Sequence, residues 1–304
     1  MQWWNSLVAR ALPAVPRFIV GKVAKRYVAG SRLADAVACI EQLNREGAMA
    51  TLDLLGEAVH EPQRATEAAE IYLRILDTIA ERGLDANVSV KPTQLGLLID
   101  EDLCRDNIAR VVERAAALGN FVRIDMEDRT TTDATLRIYR QLHRRYGDGC
   151  HGHVGVVLQA YMRRTLSDVS TLPETLANVR LCKGIYVEPR EDAYKGFEVV
   201  RHNFVAALDK LLRRGVYAAV ATHDEYLVCA ALALLDRYQV PRDGYEMQML
   251  LGVDPALRRI LIAGGHRLRV YVPYGRDWYP YSLRRLRENP AIAGHVMRAM
   301  LRGG

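Results

Sequence analysis

Between Tyr271 and Asn289 the chain reads YVPYGRDWYPYSLRRLREN. Aromatic rings, a Gly-Arg-Asp turn and the adjacent arginines Arg284 and Arg285 share one short run. It is too aromatic for a solvated tail and too charged for a core. Neighbouring residues on a helix project about 100° apart, so the two guanidiniums need not both face solvent. Such a pair can grip one carboxylate bidentately and neutralise it where water is excluded. Tyr271 and Tyr281 add flat walls with hydroxyl handles. A basic amphipathic helix accounts for Arg-Arg alone; the aromatic lead-in favours a site for a small, flat anion.

Those residues need a scaffold that brings them together. Short apolar runs rich in β-branched residues recur along the chain: AMATLDLLG, NVSVKP, FVRIDM, VGVVLQ, VRLCKG, YAAVAT, YEMQML and LRVYVPY. Between most of them lie segments of helical periodicity, such as EAAEIYLRILDTIAERG, EDLCRDNIARVVERAAALG and TDATLRIYRQLHRRYG. These three end at Gly83, Gly119 and Gly147, where a left-handed C-terminal cap is least strained. Strand-helix alternation at a spacing of ~30 residues predicts a (βα)8 TIM-type barrel rather than a doubly wound sheet. The expected division is an N-terminal helical arm over 1–45 and the catalytic barrel over 46–304. In such barrels chemistry sits at the C-terminal strand ends. Here these carry Glu57, Lys91, Asp125, Met126, Gln159, Lys183, Gly184, Thr222, His223, Gln248 and Tyr271.

Other signals are weaker than they look. Gly147 to Gly152 spells GxGxxG, but it follows a helix and opens a strand, the reverse of a dinucleotide fingerprint. Cys150, His151 and His153 show no four-ligand metal pattern, so no metal is expected. Thr222-His223-Asp224 suggests a dyad or metal ligand, yet Asp224 serves equally well as a helix cap. The five cysteines are scattered without CxxC spacing, which points to a reducing compartment. A net charge of +6 is spread along the chain, as expected of solvated helix faces rather than a nucleic-acid stripe. The start MQWWNSLVARALPAVPRFIV lacks a basic n-region, and no uncharged run approaches the ~18 residues of a membrane span. Trp3, Trp4 and the basic residues up to Arg26 suit an interfacial contact or, as the plainer reading, an arm packed on the body.

The spacing Tyr281, Arg284, Arg285, Glu288, Asn289 matches in full the YxxRRxxEN signature of proline dehydrogenases. The resemblance extends through LDLLGE (52–57), KPTQLG (91–96), RIDMED (123–128), VVLQAY (156–161), RLCKGIY (180–186), ATHD (221–224) and YVPYGRDWYPY (271–281). It implies a distorted barrel whose last helix lies over the mouth, with noncovalent FAD across the C-terminal face. It further implies oxidation of L-proline to Δ1-pyrroline-5-carboxylate by hydride transfer from C5 to flavin N5, with electrons passed to quinone. Lys91, Arg284 and Arg285 would hold the proline carboxylate. Tyr271 and Tyr281 would wall the ring, and Asp125 would orient the tyrosine and lysine beside it. Arg180 would sit at the reactive flavin edge, with Met126, Gln159, Lys183, Gly184, Ile185, Thr222, His223 and Glu288 on FAD. Glu57 would pair with Arg284 as a gate. The length is that of short monofunctional bacterial enzymes, so pyrroline-5-carboxylate dehydrogenase would be a separate chain. The implied location is cytoplasmic, with a peripheral contact to anionic membrane. Two positions depart from the family pattern: Ile185 replaces the usual alanine, and MLLGV follows where an aromatic-containing variant is usual.

Two other classes explain part of the pattern. A Schiff-base aldolase would use Lys91 or Lys183 as nucleophile but leaves the Tyr/Arg-Arg helix idle. A non-enzymatic amino-acid-binding module would need no redox cofactor.

Overall fold

The computed structural model describes residues 17–146, 152–173 and 176–288, with the side chains of residues 17–19, 22–23 and 284–288 outside that description. Eight parallel strands close into a barrel in chain order. They are β1 (Met49–Leu54), β2 (Ala86–Val90), β3 (Val122–Ile124), β4 (Val154–Gln159), β5 (Asn178–Cys182), β6 (Tyr217–Ala221), β7 (Tyr245–Leu250) and β8 (Leu268–Tyr274). Each begins within about two residues of the apolar run that signals it. Closure is made by β8 on β1, with Thr51 opposite Tyr271 and Asp53 opposite Pro273.

Helices α1 (Arg17–Tyr27) and α2 (Leu33–Arg45) precede the barrel, and α3 (Pro62–Glu81), α4 (Glu101–Ala117) and α5 (Thr132–Tyr146) follow β1 to β3. The unit after β4 keeps only a six-residue helix, α6 (Thr165–Ser170). Next come α7 (Phe197–Arg213), α8 (Glu225–Arg237), α9 (Pro255–Ala263) and α10 (Trp278–Glu288). Gly83 and Gly119 follow α3 and α4 with φ of 60° and 65°, the left-handed stops that their sequences signal. Gly147, and with it the GxGxxG run as far as His151, lies outside the described residues.

Strand side chains alternate between two very different environments. One phase (Leu52, Val88, Ile124, Val156, Leu181, Val220 and Val270 among others) points outward and is fully buried under the helices. Helix α2 joins this shell, burying Ala36, Ile40 and Leu43 against β8 and β1. The other phase meets inside the barrel and is largely polar, whereas barrel interiors are usually filled by branched apolar residues. Arg123, Asn178, Glu246 and Arg269 occupy a lower level. Two residues further along the same strands, Asp125, Arg180, Gln248 and Tyr271 form an upper one.

Helix α10 turns back after β8. Its Tyr281 and Trp278 pack with Tyr27, Val28 and Leu55, so α1 and α10 brace each other beside the mouth.

Candidate active site

Asp125 is the hub of the upper level. It follows β3, and its backbone N–H donates to Val90 O at 2.9 Å, extending the β2–β3 ladder by one residue. Its Oδ1 accepts from Ser89 Oγ at 2.6 Å and Arg180 Nη1 at 2.7 Å. Its Oδ2 accepts from the Tyr271 hydroxyl at 3.2 Å. Arg180 is fixed again by Nε donating to Gln248 Oε1 at 2.5 Å, and its guanidinium stands 5.4 Å from the Tyr271 ring centroid. Strands β2, β3, β5, β7 and β8 therefore meet in one hydrogen-bonded floor.

Lys91 completes it. Its ammonium donates to Asp53 Oδ1 at 2.5 Å and to the Tyr271 hydroxyl at 3.3 Å, and lies 3.9 Å from Asp125 Oδ2. Burial pulls the Lys91 pKa down, but Asp53 and Asp125 more than offset it, so the ammonium titrates above an ordinary lysine. Burial, with Asp125 beside it, pushes the Tyr271 hydroxyl well above its ordinary range, so it remains a donor. A neutral amine, which Schiff-base chemistry requires, is disfavoured at Lys91. Two carboxylates and two cations balance in this floor.

Above it opens a cavity of about 1020 Å³, large even against the ~300–1,000 Å³ of small-molecule sites. Lys91, Asp125, Met126, Gln159, Arg180, Lys183, Gly184, Ile185, Thr222, His223, Tyr271 and Tyr281 all border it. Gln159 is held by its Nε2 donating to Glu127 O at 2.8 Å. The His223 Nε2 accepts the Leu250 N–H at 2.9 Å, which defines the tautomer with its proton on Nδ1. Gly184 has φ of 104°, and a Cβ there would overlap the Tyr161 ring, so this close approach requires glycine. Ile185 is 36 % exposed at the rim.

The far end of the cavity has a design that the sequence does not advertise. Asp224 ion-pairs with Lys183 at 3.1 Å and Arg201 at 2.7 Å while capping α8 through the Tyr226 N–H. The Arg201 guanidinium lies 4.3 Å from the Phe197 ring centroid and 4.8 Å from that of Tyr226. The Arg201 hydrogen bond leads the causes that pull the Asp224 carboxyl down to about 2.

Some expected residues lie elsewhere. Glu57 is exposed and borders a neighbouring cavity with Arg276 and Asp277, rather than this one. Arg284, Arg285 and Glu288 fall on α10, but their side chains lie outside the described residues. Among the described residues, no cluster of His, Cys, Asp and Glu is arranged to hold a metal ion. Of the residues missed by sequence reasoning, Asp53 had a signal: an acid within the apolar run of β1. Phe197, Arg201 and Tyr226 had none, because Tyr226 comes from the following helix and only the fold brings it to the Phe197–Arg201 pair.

The family model described as "Proline dehydrogenase" matches residues 36–298. The chain belongs to the proline dehydrogenase family. Among similar curated proteins, the proline dehydrogenase of Deinococcus radiodurans is 37 % identical over 92 % of this chain and 91 % of its own length. Proline dehydrogenase 1 of Bacillus subtilis is 36 % identical with the same coverage of both chains. In fold, the chain resembles proline utilization A of Bdellovibrio bacteriovorus, inactivated by N-propargylglycine, with a TM-score of 0.82 and 23 % identity. That match covers 88 % of this chain and 32 % of the larger protein. Proline utilization A of Corynebacterium freiburgense matches 97 % of this chain with a TM-score of 0.76 and 21 % identity. A proline dehydrogenase thus accounts for the closed barrel and for a cavity with a polar floor at its C-terminal mouth.

Proposed function

We propose that this chain oxidises L-proline to Δ1-pyrroline-5-carboxylate with noncovalent FAD, passing the electrons to a quinone. The observation that carries the reading is the pairing of the Asp125–Tyr271–Lys91–Arg180 floor with a cavity far larger than proline. A proline-sized ligand on that floor leaves most of the cavity for a second, elongated molecule. The wall residues suit a dinucleotide: apolar Met126, Val157 and Leu250, amide and hydroxyl groups from Gln159 and Thr222, and cations at both ends. Gln159, Arg180, Lys183, Gly184, Ile185, Thr222, His223 and Met126 would hold FAD, with Glu288 reaching it from α10. Bound FAD supplies the two-electron acceptor that the amino acid side chains lack.

The protein's own part is positioning and electrostatics. Tyr271 is aimed by its hydrogen bond to Asp125, and with Tyr281 it would wall the proline ring. Lys91 contributes one donor to the proline carboxylate, but its charge is already balanced by Asp53. The excess positive charge that draws the carboxylate would come from Arg284 and Arg285. With both present the site stays cationic after the carboxylate binds, which disfavours the ammonium form of proline and keeps the nitrogen lone pair available. Holding the carboxylate away from C5 turns binding energy into orientation. Glu57, beside the mouth, would pair with Arg284 as a gate.

Among the described residues no helix is long and apolar enough to cross a membrane. Quinone access would then be peripheral, through residues 1–26 against anionic lipid; residues 1–16 lie outside the described residues. The product would be consumed by a separate pyrroline-5-carboxylate dehydrogenase chain. The purified chain supplied with FAD should reduce a soluble quinone analogue on addition of L-proline, and should not reduce NAD. Absence of proline-dependent reduction with FAD present overturns the assignment.

A further inference from the structure

Helix α10 bears Tyr281, Arg284 and Arg285, the substrate end of the proposed site. Among the described residues, the element it packs against most is α1, not a barrel strand. Tyr281, 7 % exposed, shares one apolar cluster with Tyr27, Val28 and Leu55, and Trp278 and Val253 pack against that cluster. Tyr27, 2 % exposed, is the last residue of α1. Tyr281 thus borders the cavity while resting on a residue from outside the barrel. The Trp278 ring reaches further along α1, where a Cβ on Gly21 would stand 3.5 Å from it.

The end of α1 is itself anchored twice. Beyond Tyr27 the chain runs beside the end of β8. The Ala29 N–H donates to Pro273 O at 3.0 Å, and the Gly275 N–H donates to Gly30 O at 3.0 Å. Arg26 Nε donates to Gly252 O, in the β7–α9 loop, at 2.9 Å. Gly252 has φ of 75°, and a Cβ there would come within 2.0 Å of Arg26 O. Helix and loop therefore meet backbone to backbone, an approach that only glycine permits. This accounts for the glycine of the MLLGV segment. Leu250 and Asp254, on either side of it, border the cavity.

We propose that Tyr27 is a positioning residue for the substrate end of the site. Held by β8 and by the β7–α9 loop, it seats α10, and with it Tyr281 and the twin arginines, at the mouth. A residue of the segment that precedes the barrel then governs proline affinity without touching proline. The kinetic consequence rests on the proline reading; the seating of α10 does not. The ring provides the contact. The Tyr27 hydroxyl is buried and, among the described residues, has no hydrogen-bond partner, so Tyr27→Phe keeps everything that the role requires.

The test compares the full-length wild type with Tyr27→Ala and Tyr27→Phe, each with FAD in excess. Hydrogen exchange of the α10 amides needs no substrate. Tyr27→Ala should speed it about 10-fold while the barrel strands keep wild-type protection. The same variant should raise KM for L-proline about 5–20-fold with kcat within about 3-fold of wild type, and Tyr27→Phe should match wild type in both. Arg26→Met removes only an exposed tie to Gly252 and should raise KM about 2–4-fold, which keeps the test decisive should Tyr27→Ala fail to fold. Exchange in α10 that is unchanged, or that rises only together with the strands, overturns the inference and leaves the proline assignment standing. So does a wild-type KM in both Tyr27→Ala and Arg26→Met. Faster α10 exchange in Tyr27→Ala beside a wild type that does not oxidise proline supports the seating and overturns the assignment instead.

Discussion

Lys91 Nζ lies 2.5 Å from Asp53 Oδ1, buried inside the barrel, so the lysine bordering the mouth cavity is already half of an ion pair. The other half never reaches the cavity. Asp53 therefore acts on the site from below, chiefly by fixing the Lys91 ammonium beside Tyr271. Removing one member of a buried pair strands the other. Asp53→Ala should destabilise the fold by about 3–5 kcal/mol, and the double variant Asp53→Ala/Lys91→Met by clearly less than the sum of the two single losses. Urea denaturation of the four proteins measures this, and strictly additive losses would show that the pair is not coupled.

The Tyr271 hydroxyl joins the two halves of the floor, donating to Asp125 while accepting from Lys91. Tyr271→Phe keeps the ring wall and removes only this bridge. A lost hydrogen bond to charged groups of roughly 1–2 kcal/mol should lower kcat/KM for proline about 5–30-fold without loss of cofactor. Steady-state kinetics beside flavin content separates the two effects; unchanged kinetics would mean that the hydroxyl has no part in placing substrate.

The described floor is neutral, and in the proposed reading the arginines of α10 supply the charge that captures a carboxylate. Arg284→Met or Arg285→Met should weaken proline by roughly 2–5 kcal/mol, seen mainly as a raised KM. Near wild-type KM in both variants would place the anion clamp elsewhere.

The architecture was legible because the outward strand phase is a repeated β-branched run and the helices end at glycines. Lys91, Asp125, Arg180 and Tyr271 were legible as polar residues at or near strand ends, and the family resemblance supplied their expected roles. The interior phase was not. Asp53 sat unremarked within LDLLG, and Arg123 and Glu246 gave no hint that they line the barrel base, because a two-residue alternation does not say what lies across the barrel. The Phe197–Arg201–Tyr226 stack joins the starts of α7 and α8, a tertiary contact with no local pattern.

Asp224 ties Lys183 and Arg201 together at the far end of the cavity, and its folded pKa is lowered to about 2, led by the Arg201 hydrogen bond, from an ordinary 3.8. A depressed carboxyl contributes stability above its unfolded pKa and loses it as pH falls through the folded one. The stability gap between wild type and Asp224→Asn should be full above about pH 4 and close toward pH 2. Denaturation midpoints across that window check the sign, and a gap that widens on acidification would contradict it.

Gly184 packs where no side chain fits, so Gly184→Ala should force either its φ of 104° or the Tyr161 ring to move. The expected cost is about 1–3 kcal/mol of stability together with weaker FAD retention. Cofactor release followed by flavin fluorescence reports the second effect; full retention with an unshifted Tm would show that the neighbouring loop yields easily.

The most direct test of the central claim is the visible spectrum of the purified protein before and after anaerobic addition of L-proline. A proline dehydrogenase of the kind argued for shows a bound flavin band that L-proline bleaches, and that oxygen or a quinone analogue restores. A protein that stays colourless and inactive after FAD is supplied, or whose bound flavin is untouched by proline, would contradict it.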